Sequence, residues 1–320
     1  MEKRFEEILR IALFHQATDI HFSIHEDSMD IKVRGINGLV QIDSKPSDEQ
    51  LFNYLQYQAR LDITCLNKPQ SGSFSYYFAD RFLDFRFAVL VTHKIKNGVL
   101  RILNRHDERP LDKLTYDKEA IATFRRWLNR RSGLVLFTGL TGSGKTTTLY
   151  TLLNEARGKT IFSLEDPIEA VQDYMVQLEI NEKIGFSYDE GIKQILRHNP
   201  DIMMIGEIRD EKTARMTVRA ALTGCLVMTS LHARSTSSAI NRMLELGVQK
   251  NDLLDSLAGI VNQRLIKRKD ANEFTCVYDV LEGRELEEYM TNPGRRADTM
   301  AEKLIDAMKA GIIDEDIQLE

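Results

Sequence analysis

The sequence has 320 residues, with 43 lysines and arginines against 48 aspartates and glutamates, and a net charge of −5. This length predicts about two domains, and a hydrophobic content of 42% excludes a largely disordered chain. The slightly acidic balance argues against a protein whose main task is to grip nucleic-acid phosphates.

Cysteine usage and the lack of long apolar runs indicate the compartment. Cys65, Cys225 and Cys276 lie far apart and form no CxxC pair. Neither a disulfide framework nor a structural zinc site is therefore predicted. No apolar run approaches the about 18 residues that a membrane-spanning helix needs, and the first residues carry charges of both signs instead of a signal sequence. We expect a cytoplasmic protein.

Residues 1–106 predict a small α+β domain. Helical spacing of apolar residues favours a first helix over residues 5–13, and a second helix begins near Ser47. Period-two alternation predicts strands, with a hairpin turn from Gly35 to Gly38. The predicted strands cover residues 19–24, 30–34, 39–42, 73–78, 82–91 and 98–103. The domain should be built on an antiparallel sheet.

The pattern changes after residue 106. Residues 107–116 are charged and contain Pro110, which is typical of a linker. Short, wholly apolar strands then alternate with helices, which predicts an α/β domain with a largely parallel sheet over residues 117–270. The predicted strands are 134–137, 160–164, 202–205 and 226–228, and the helices are 145–156, 188–198 and 211–223. We expect residues 271–320 to form a helical tail, which is solvated over residues 285–320.

The strongest motif is Gly139-Leu-Thr-Gly-Ser-Gly144-Lys145-Thr146, which matches the phosphate-binding P-loop pattern between a predicted strand and a predicted helix. The glycines let backbone N–H groups surround an anion, and the following helix directs its positive end at the phosphates. Lys145 should reach the β- and γ-phosphates of ATP, and the Thr146 hydroxyl should bind Mg²⁺. The alternative is an ordinary glycine-rich turn. The predicted nucleotide-binding residues are Gly139, Thr141, Gly142, Ser143, Gly144, Lys145, Thr146 and Thr147.

Glu207 is the candidate for the group that activates the attacking water. It follows the predicted strand 202–205 and Gly206, which occupies the position where P-loop hydrolases often place an acidic Mg²⁺ partner. We therefore assign Glu207 to positioning or deprotonating the water. The alternative is that Glu207 only solvates the end of a strand.

Two further strand ends carry polar side chains. Glu165 and Asp166 begin an acidic run that also includes Glu169, and α/β sheets bind ligands at the edge where this run falls. We expect Glu165 to act in catalysis and Asp166 to bind Mg²⁺, although acidic loops are more often only solvated. His232 follows the strand that ends near Thr229 and Ser230. It is a candidate sensor of the γ-phosphate, with a structural histidine as the alternative.

These four elements, in this order, resemble the secretion ATPase superfamily, which includes the GspE-type motors of type II secretion and the PilB- and PilT-type motors of type IV pili. The P-loop resembles its Walker A motif, and residues 164–169 resemble its Asp box. Residues 199–210 resemble its atypical Walker B motif, and residues 224–233 resemble its His box. The resemblance implies a RecA-like P-loop motor domain preceded by a PAS-like domain, and hydrolysis of ATP with Mg²⁺.

The resemblance extends to the N-terminal domain. Residues 17–21 are similar to the start of the PAS-like domain of the family, whose arginines reach over the nucleotide. Arg86 and Arg101 match those positions, and Arg81 is a weaker third candidate. An arginine from a separate domain serves as a charge clamp on the transferred phosphoryl group. The alternative is an arginine that only covers the surface of the sheet.

Departures from the family patterns narrow the subfamily. Only Cys276 stands where GspE-type enzymes carry a tetracysteine module, so no zinc is expected, and the helix typical of retraction motors is not found after Arg264. The short build and the segment Gly98–Leu103 resemble the ComGA-like competence ATPases of Gram-positive bacteria, which drive assembly of the DNA-uptake pseudopilus. The resemblance implies a homo-hexamer at the inner face of the membrane, a polytopic platform protein as its partner, and pilin-like subunits moved indirectly.

Pilus retraction and protein secretion stay open as alternative roles. A different class, the nucleic-acid translocase, is disfavoured by the acidic balance despite short basic clusters, and no direct nucleic-acid contact is expected. A scaffold without hydrolysis is disfavoured because all the catalytic motifs are intact. The basic clusters lie at residues 125–126, 130–131 and 267–269.

Overall fold

The N-terminal part of the chain folds as an antiparallel sheet with two helices, as its alternating pattern predicts. The computed structural model describes residues 1–15, 17–25, 29–35, 38–64, 68–91, 95–103, 110–269, 273–292 and 299–314. The chain divides into two units, Met1–Arg105 and His106–Glu320. The first unit comprises α1 (Glu2–Phe14), β1 (Asp19–Ile24), β2 (Met29–Gly35), β3 (Gly38–Ile42), α2 (Asp48–Gln58), β4 (Gln70–Phe78), β5 (Arg81–Val91) and β6 (Lys96–Ile102).

Each strand of the first unit pairs antiparallel with its neighbours, in the order β3-β2-β1-β6-β5-β4. Alternate side chains are buried with the inner faces of α1 and α2, so one face of the sheet forms the core. Phe22, Phe52 and Phe87 meet edge to face there, with centroids 5.3–6.2 Å apart. The centre of the predicted Gly35–Gly38 turn lies outside the described residues.

The second unit alternates strands and helices, and its parallel strands are short and apolar as predicted. It comprises α3 (Lys118–Leu128), β7 (Gly133–Thr138), α4 (Lys145–Asn154), β8 (Ile161–Glu165), β9 (Val176–Glu179), α5 (Tyr188–Leu196), β10 (Ile202–Glu207), α6 (Glu211–Leu222), β11 (Leu226–Leu231), α7 (Thr236–Glu245), α8 (Lys250–Ser256), β12 (Leu257–Lys267), β13 (Phe274–Glu282), α9 (Gly283–Thr291) and α10 (Thr299–Lys309).

The sheet of the second unit has the strand order β13-β12-β7-β11-β10-β8-β9 in the described residues. Its neighbouring strands are parallel except for the antiparallel pair β12–β13. Helices cover both faces, and two apolar clusters lie on the two sides of the sheet. Burial on both faces explains why β7 and β11 consist mainly of apolar residues. The fold is an α/β domain with a largely parallel sheet, preceded by a smaller α+β domain.

Two predictions about the borders of this domain are wrong. Leu111 and Leu114 belong to the predicted linker, but both are buried in the core of the second unit. The Leu114 carbonyl also accepts a hydrogen bond from the Cys276 backbone N–H at 2.7 Å. An apolar pair within a charged stretch therefore marks the start of the domain.

The prediction of a helical tail over residues 271–320 is also wrong in part. Residues 274–282 form β13, which closes the sheet, and α10 packs on that strand. Leu304 and Ala307 of α10 are fully buried against Val277. The sequence of β13 does not alternate between polar and apolar residues, because both faces of the strand are covered. None of the helices within the described ranges is long and apolar enough to cross a bilayer.

Candidate functional site: a phosphate loop facing three strand ends

The P-loop wraps between β7 and α4 because its glycines adopt a backbone conformation that other residues rarely take. Gly139, Gly142 and Gly144 have φ angles of +144°, +81° and +84°. At Gly139 a Cβ atom would also lie only 2.5 Å from the carbonyl oxygen of Gln263. The close fit of loop and strand therefore requires glycine at that position.

Lys145 lies at the first position of α4 with its ammonium group turned into the loop. Its Nζ donates to the carbonyl oxygens of Gly139 and Leu140, both at 3.0 Å. Burial lowers the pKa of Lys145, and the charges of Glu207 and Glu169 oppose that shift. The ammonium is thus held by neutral carbonyls, which an anion at the loop can replace as partners.

The loop is supported from the sheet by residues that sequence reasoning did not assign. Gln263 of β12 donates through Nε2 to the Ser143 carbonyl at 2.6 Å and to the Cys276 sulfur at 3.2 Å. On β13, the Tyr278 hydroxyl lies 3.1 Å from the Thr148 hydroxyl of α4. The pair β12–β13 therefore fixes both the loop and the helix that follows it.

Strand register brings three predicted residues to one edge of the sheet. Leu164 of β8 pairs with Ile205 of β10, and Ile205 pairs with Thr229 of β11. Glu165 and Glu207 end their strands and His232 follows its own, so the three lie at one edge of the sheet, where β7 leads into the P-loop. The Ser230 hydroxyl donates to the Gly206 carbonyl at 2.6 Å and ties two of these ends together.

Glu165 is a buried carboxylate, with 2% of its surface exposed. It accepts hydrogen bonds from Ser163 Oγ at 2.6 Å, from Gln177 Nε2 at 3.0 Å and from the Tyr150 hydroxyl. Burial raises the pKa of Glu165, and these three donors oppose the shift. Neutral donors occupy both of its oxygens, so the group is fixed in place rather than free to move.

Glu207 has charged or ionisable partners instead. One carboxylate oxygen pairs with Arg209, and the other lies 3.2 Å from His232 Nε2. Arg209 also approaches Asp166 at 3.4 Å. The chain turns sharply here because Asp210 caps α6, its carboxylate accepting from the Thr213 N–H at 2.9 Å. That turn places Glu207 and Arg209 side by side.

These residues line one pocket of about 460 Å³. It brings together ten predicted residues: Thr141, Gly142, Gly144, Lys145, Thr146, Thr147, Glu165, Asp166, Glu207 and His232. Gly139 and Ser143 line a second pocket, which shares Thr141 and Gly142 with the first. Residues of the lining that were not predicted as site residues are Pro167, Glu169, Tyr188, Gly206, Ser230 and Leu265. Gly206 has no side chain, and the space beside it is bordered by the Tyr188 hydroxyl. The glycine at this strand position is the one sequence feature that hints at a residue such as Tyr188.

The predicted arginines of the first unit lie on its own sheet. Arg86 of β5 and Arg101 of β6 are directly paired across the two strands. Arg101 Nε donates to Asp19 at 2.8 Å. Burial acts to raise the pKa of Asp19, but the hydrogen bonds from Arg101 and Thr18 outweigh it and leave that pKa lowered. Arg81 is the first residue of β5.

Comparison with known proteins gives a consistent set of relatives. The family described as "Type II/IV secretion system protein" matches residues 1–300. The competence protein ComGA of Bacillus subtilis (strain 168) is 36% identical over 271 residues, which cover 83% of this chain and 76% of that protein. ComGA of Halalkalibacterium halodurans is 34% identical over an alignment of 331 positions, covering 97% of this chain and 95% of that protein.

A solved structure has the same fold over nearly the whole chain. The crystal structure of the pilus retraction motor PilT with bound ADP superposes with a TM-score of 0.78 at 25% sequence identity. The match covers 97% of this chain and 94% of that one.

Proposed function

The chain belongs to the type II/IV secretion system protein family, and we propose that it is an ATPase motor that drives assembly of a type IV pilus-like or type II secretion-like pseudopilus. The observation that carries this proposal is the joint pocket, in which the P-loop lysine faces carboxylates from two other strand ends. The ADP bound to the related motor PilT supports a nucleotide as the ligand.

The loop fits phosphate groups on its own geometry. Its glycines take conformations that only glycine adopts readily, and Ser143 Oγ is buried without a hydrogen-bond partner among the described residues. We infer that ATP phosphates replace the carbonyls of Gly139 and Leu140 as partners of the Lys145 ammonium. The N–H groups at the start of α4 then complete the cradle.

Thr146 and Asp166 would hold Mg²⁺ at this pocket. Both line it, and a hydroxyl with a carboxylate is a donor set that suits this ion. Within the described ranges no group of three or more His, Cys, Asp or Glu residues is arranged to hold a metal. Phosphate oxygens would therefore share the ion with the protein. When bound, Mg²⁺ supplies positive charge against the phosphates.

Glu207 is the best-placed general base for hydrolysis. It is only part-buried, it lines the pocket, and its partners Arg209 and His232 are exposed side chains that can move away. Glu165 cannot move in this way, because neutral donors hold both of its oxygens. We assign Glu165 a supporting role at the floor of the pocket, and His232 a role in holding Glu207 until phosphate binds.

Arg86 and Arg101 are proposed to clamp the nucleotide from the first unit. Two guanidinium groups stand side by side on adjacent strands, although one is engaged by Asp19. Arg86→Ala and Arg101→Ala should each lower ATP turnover without unfolding the unit. Normal turnover in both variants would reject the clamp.

The family relationship supports a ring-shaped homo-hexamer that acts on a polytopic membrane platform protein and moves pilin-like subunits indirectly. We place it in the cytoplasm, at the inner face of the membrane. The ComGA relatives favour competence DNA uptake as the process. The likeness to PilT keeps retraction as the second candidate. Electron microscopy with nucleotide should show six-membered rings, and a persistent monomer would reject the assembly.

Lys145→Ala tests the site directly. We expect loss of ATP hydrolysis, because no other ammonium group lines the pocket in the described residues. Lys159→Ala is the matched control, because Lys159 also donates to a backbone carbonyl, that of Leu128, but lies outside the pocket. Equal turnover in the two variants would show that hydrolysis occurs elsewhere.

A further inference from the structure

Tyr188 is a pocket residue to which the proposed mechanism gives no role. It begins α5, where Ser187 caps the helix by accepting from the Glu190 N–H at 3.4 Å. Its ring packs against the apolar cluster on one side of the sheet, and the residue lines the nucleotide pocket. Packing therefore fixes the ring, and the phenolic oxygen is its only polar atom at the pocket.

The Tyr188 hydroxyl lies beside the space left by Gly206. A Cβ atom built on Gly206 would stand 3.6 Å from this hydroxyl and 3.3 Å from the Leu164 carbonyl oxygen. Many P-loop hydrolases carry an acidic side chain at that strand position. Here the glycine leaves room, and a phenol from α5 reaches the same place.

The surroundings of this hydroxyl are strongly charged. The charges that act on it belong to Asp166, Arg209, Glu207 and Glu165. Within the described part of the chain, the hydroxyl makes no hydrogen bond to protein, although the side chain is partly buried. A phenol offers one donor and also accepts, so an unfilled position at the pocket wall is suited to a water molecule or a substrate oxygen.

We propose that the Tyr188 hydroxyl is a positioning group that holds the water on which Glu207 acts. This inference rests on the proposed function, because it needs hydrolysis at this pocket. Two polar groups from different elements would then fix one water: Glu207 takes up its proton, and Tyr188 restricts where its oxygen can stand. Restricting a reactant to the attack position lowers the barrier without strengthening ground-state binding of the nucleotide.

Tyr188→Phe removes only the oxygen and keeps the packed ring. Two affinities should be measured by calorimetry: that for ADP, and that for ADP with aluminium fluoride, which mimics the transferred phosphoryl group with its in-line water. We expect ADP affinity to change less than about twofold, and affinity for the aluminium fluoride complex to fall about tenfold, the size of one lost hydrogen bond. The turnover number should fall by a similar factor with KM for ATP unchanged.

Tyr289→Phe is the matched control. Tyr289 is partly buried and packs on the same apolar cluster, but it does not line the pocket. It should leave both affinities and turnover unchanged.

The possible outcomes separate this inference from the proposed function. Native turnover and native affinity for the aluminium fluoride complex in Tyr188→Phe would overturn the positioning role. Equal losses of ADP and aluminium fluoride affinity, with a lower melting temperature, would overturn it as well, because they mean that the hydroxyl only supports the fold. Failure of the unmodified chain to bind ADP would instead reject the nucleotide site itself.

Discussion

The phosphate side of the pocket comes from one stretch of sequence, the P-loop and the start of α4, whereas its carboxylate side is gathered from the ends of β8, β10 and β11. The phosphate side depends on the backbone conformation of the loop. Its Lys145 ammonium contacts carbonyls only five and six residues earlier in the sequence. The second side works through side chains whose partners come from elsewhere in the chain. Local sequence therefore determines the first, and strand register determines the second.

The two glutamates on the carboxylate side differ as much as the two sides of the pocket do. Glu165 is 2% exposed and is held by neutral donors. Glu207 is part-exposed and contacts Arg209 and His232. Both stand at strand ends in the same sheet, so their position alone does not assign their roles. Environment makes one a fixed support and the other a group that can exchange partners.

The largest expected effect on stability is that of Glu165→Ala. It removes the carboxylate that accepts from the buried hydroxyls of Tyr150 and Ser163 and from the Gln177 amide, which keeps only its bond to the Ala170 carbonyl. We expect the free energy of unfolding in urea to fall by about 3 kcal/mol. Glu169→Ala, at a nearby exposed carboxylate, should change it by less than about 0.5 kcal/mol. If both variants lost the same free energy of unfolding, the claim that Glu165 supports the fold more than the exposed Glu169 does would be wrong.

A smaller effect is expected from Gln263→Leu, which tests how the phosphate side is supported. The Ser143 carbonyl loses its donor, so the loop must be ordered by the nucleotide itself. We expect KM for ATP to rise about fivefold, close to 1 kcal/mol, with little change in the turnover number. Gln194→Leu removes a surface contact to Glu190 and serves as the control. An unchanged KM would mean that the loop holds its shape unaided.

The smallest effect is a pH dependence that Glu165→Gln should remove. Burial raises the pKa of Glu165 above 4.5, so the folded state holds this proton more tightly than the unfolded chain does. Its contribution to stability is therefore full below pH 4.5 and is lost as pH rises through the raised pKa. Urea titrations at several pH values should show that the free energy of unfolding of the variant increases relative to that of the native chain as pH rises. A difference that stays constant with pH would contradict the raised pKa.

Much of the second unit follows from local pattern, because the apolar runs of β7, β8, β10 and β11 are bounded by clear turns and caps. The strand β9 was not predicted, since Val176–Glu179 is short and mixes polar with apolar residues at the sheet edge. The strand β12 was missed because Asn262, Gln263 and Arg264 interrupt its apolar run. Asn262 donates to the Arg234 carbonyl in a neighbouring turn, and Gln263 donates to the Ser143 carbonyl in the P-loop.

The partners of the site residues could not be predicted in the same way. Tyr150 and Gln177 flank Glu165 only because α4 and β9 pack beside β8. Tyr188 reaches Gly206 through the packing of α5 on the sheet. These contacts depend on register and helix placement, and no local spacing encodes them. The motif residues were predictable because each motif is a run of neighbouring residues whose spacing determines the local backbone conformation.

The central claim is that ATP is hydrolysed at this pocket with Glu207 as the general base. Glu207→Gln keeps the shape of the side chain and removes its basicity. ATP affinity and turnover should be measured together on this variant and the native chain, at protein concentrations that span ring assembly. The account predicts that ATP affinity is retained while turnover falls about 10²-fold or more. Native turnover in Glu207→Gln would contradict it, and the base would have to be sought among the other carboxylates of the pocket.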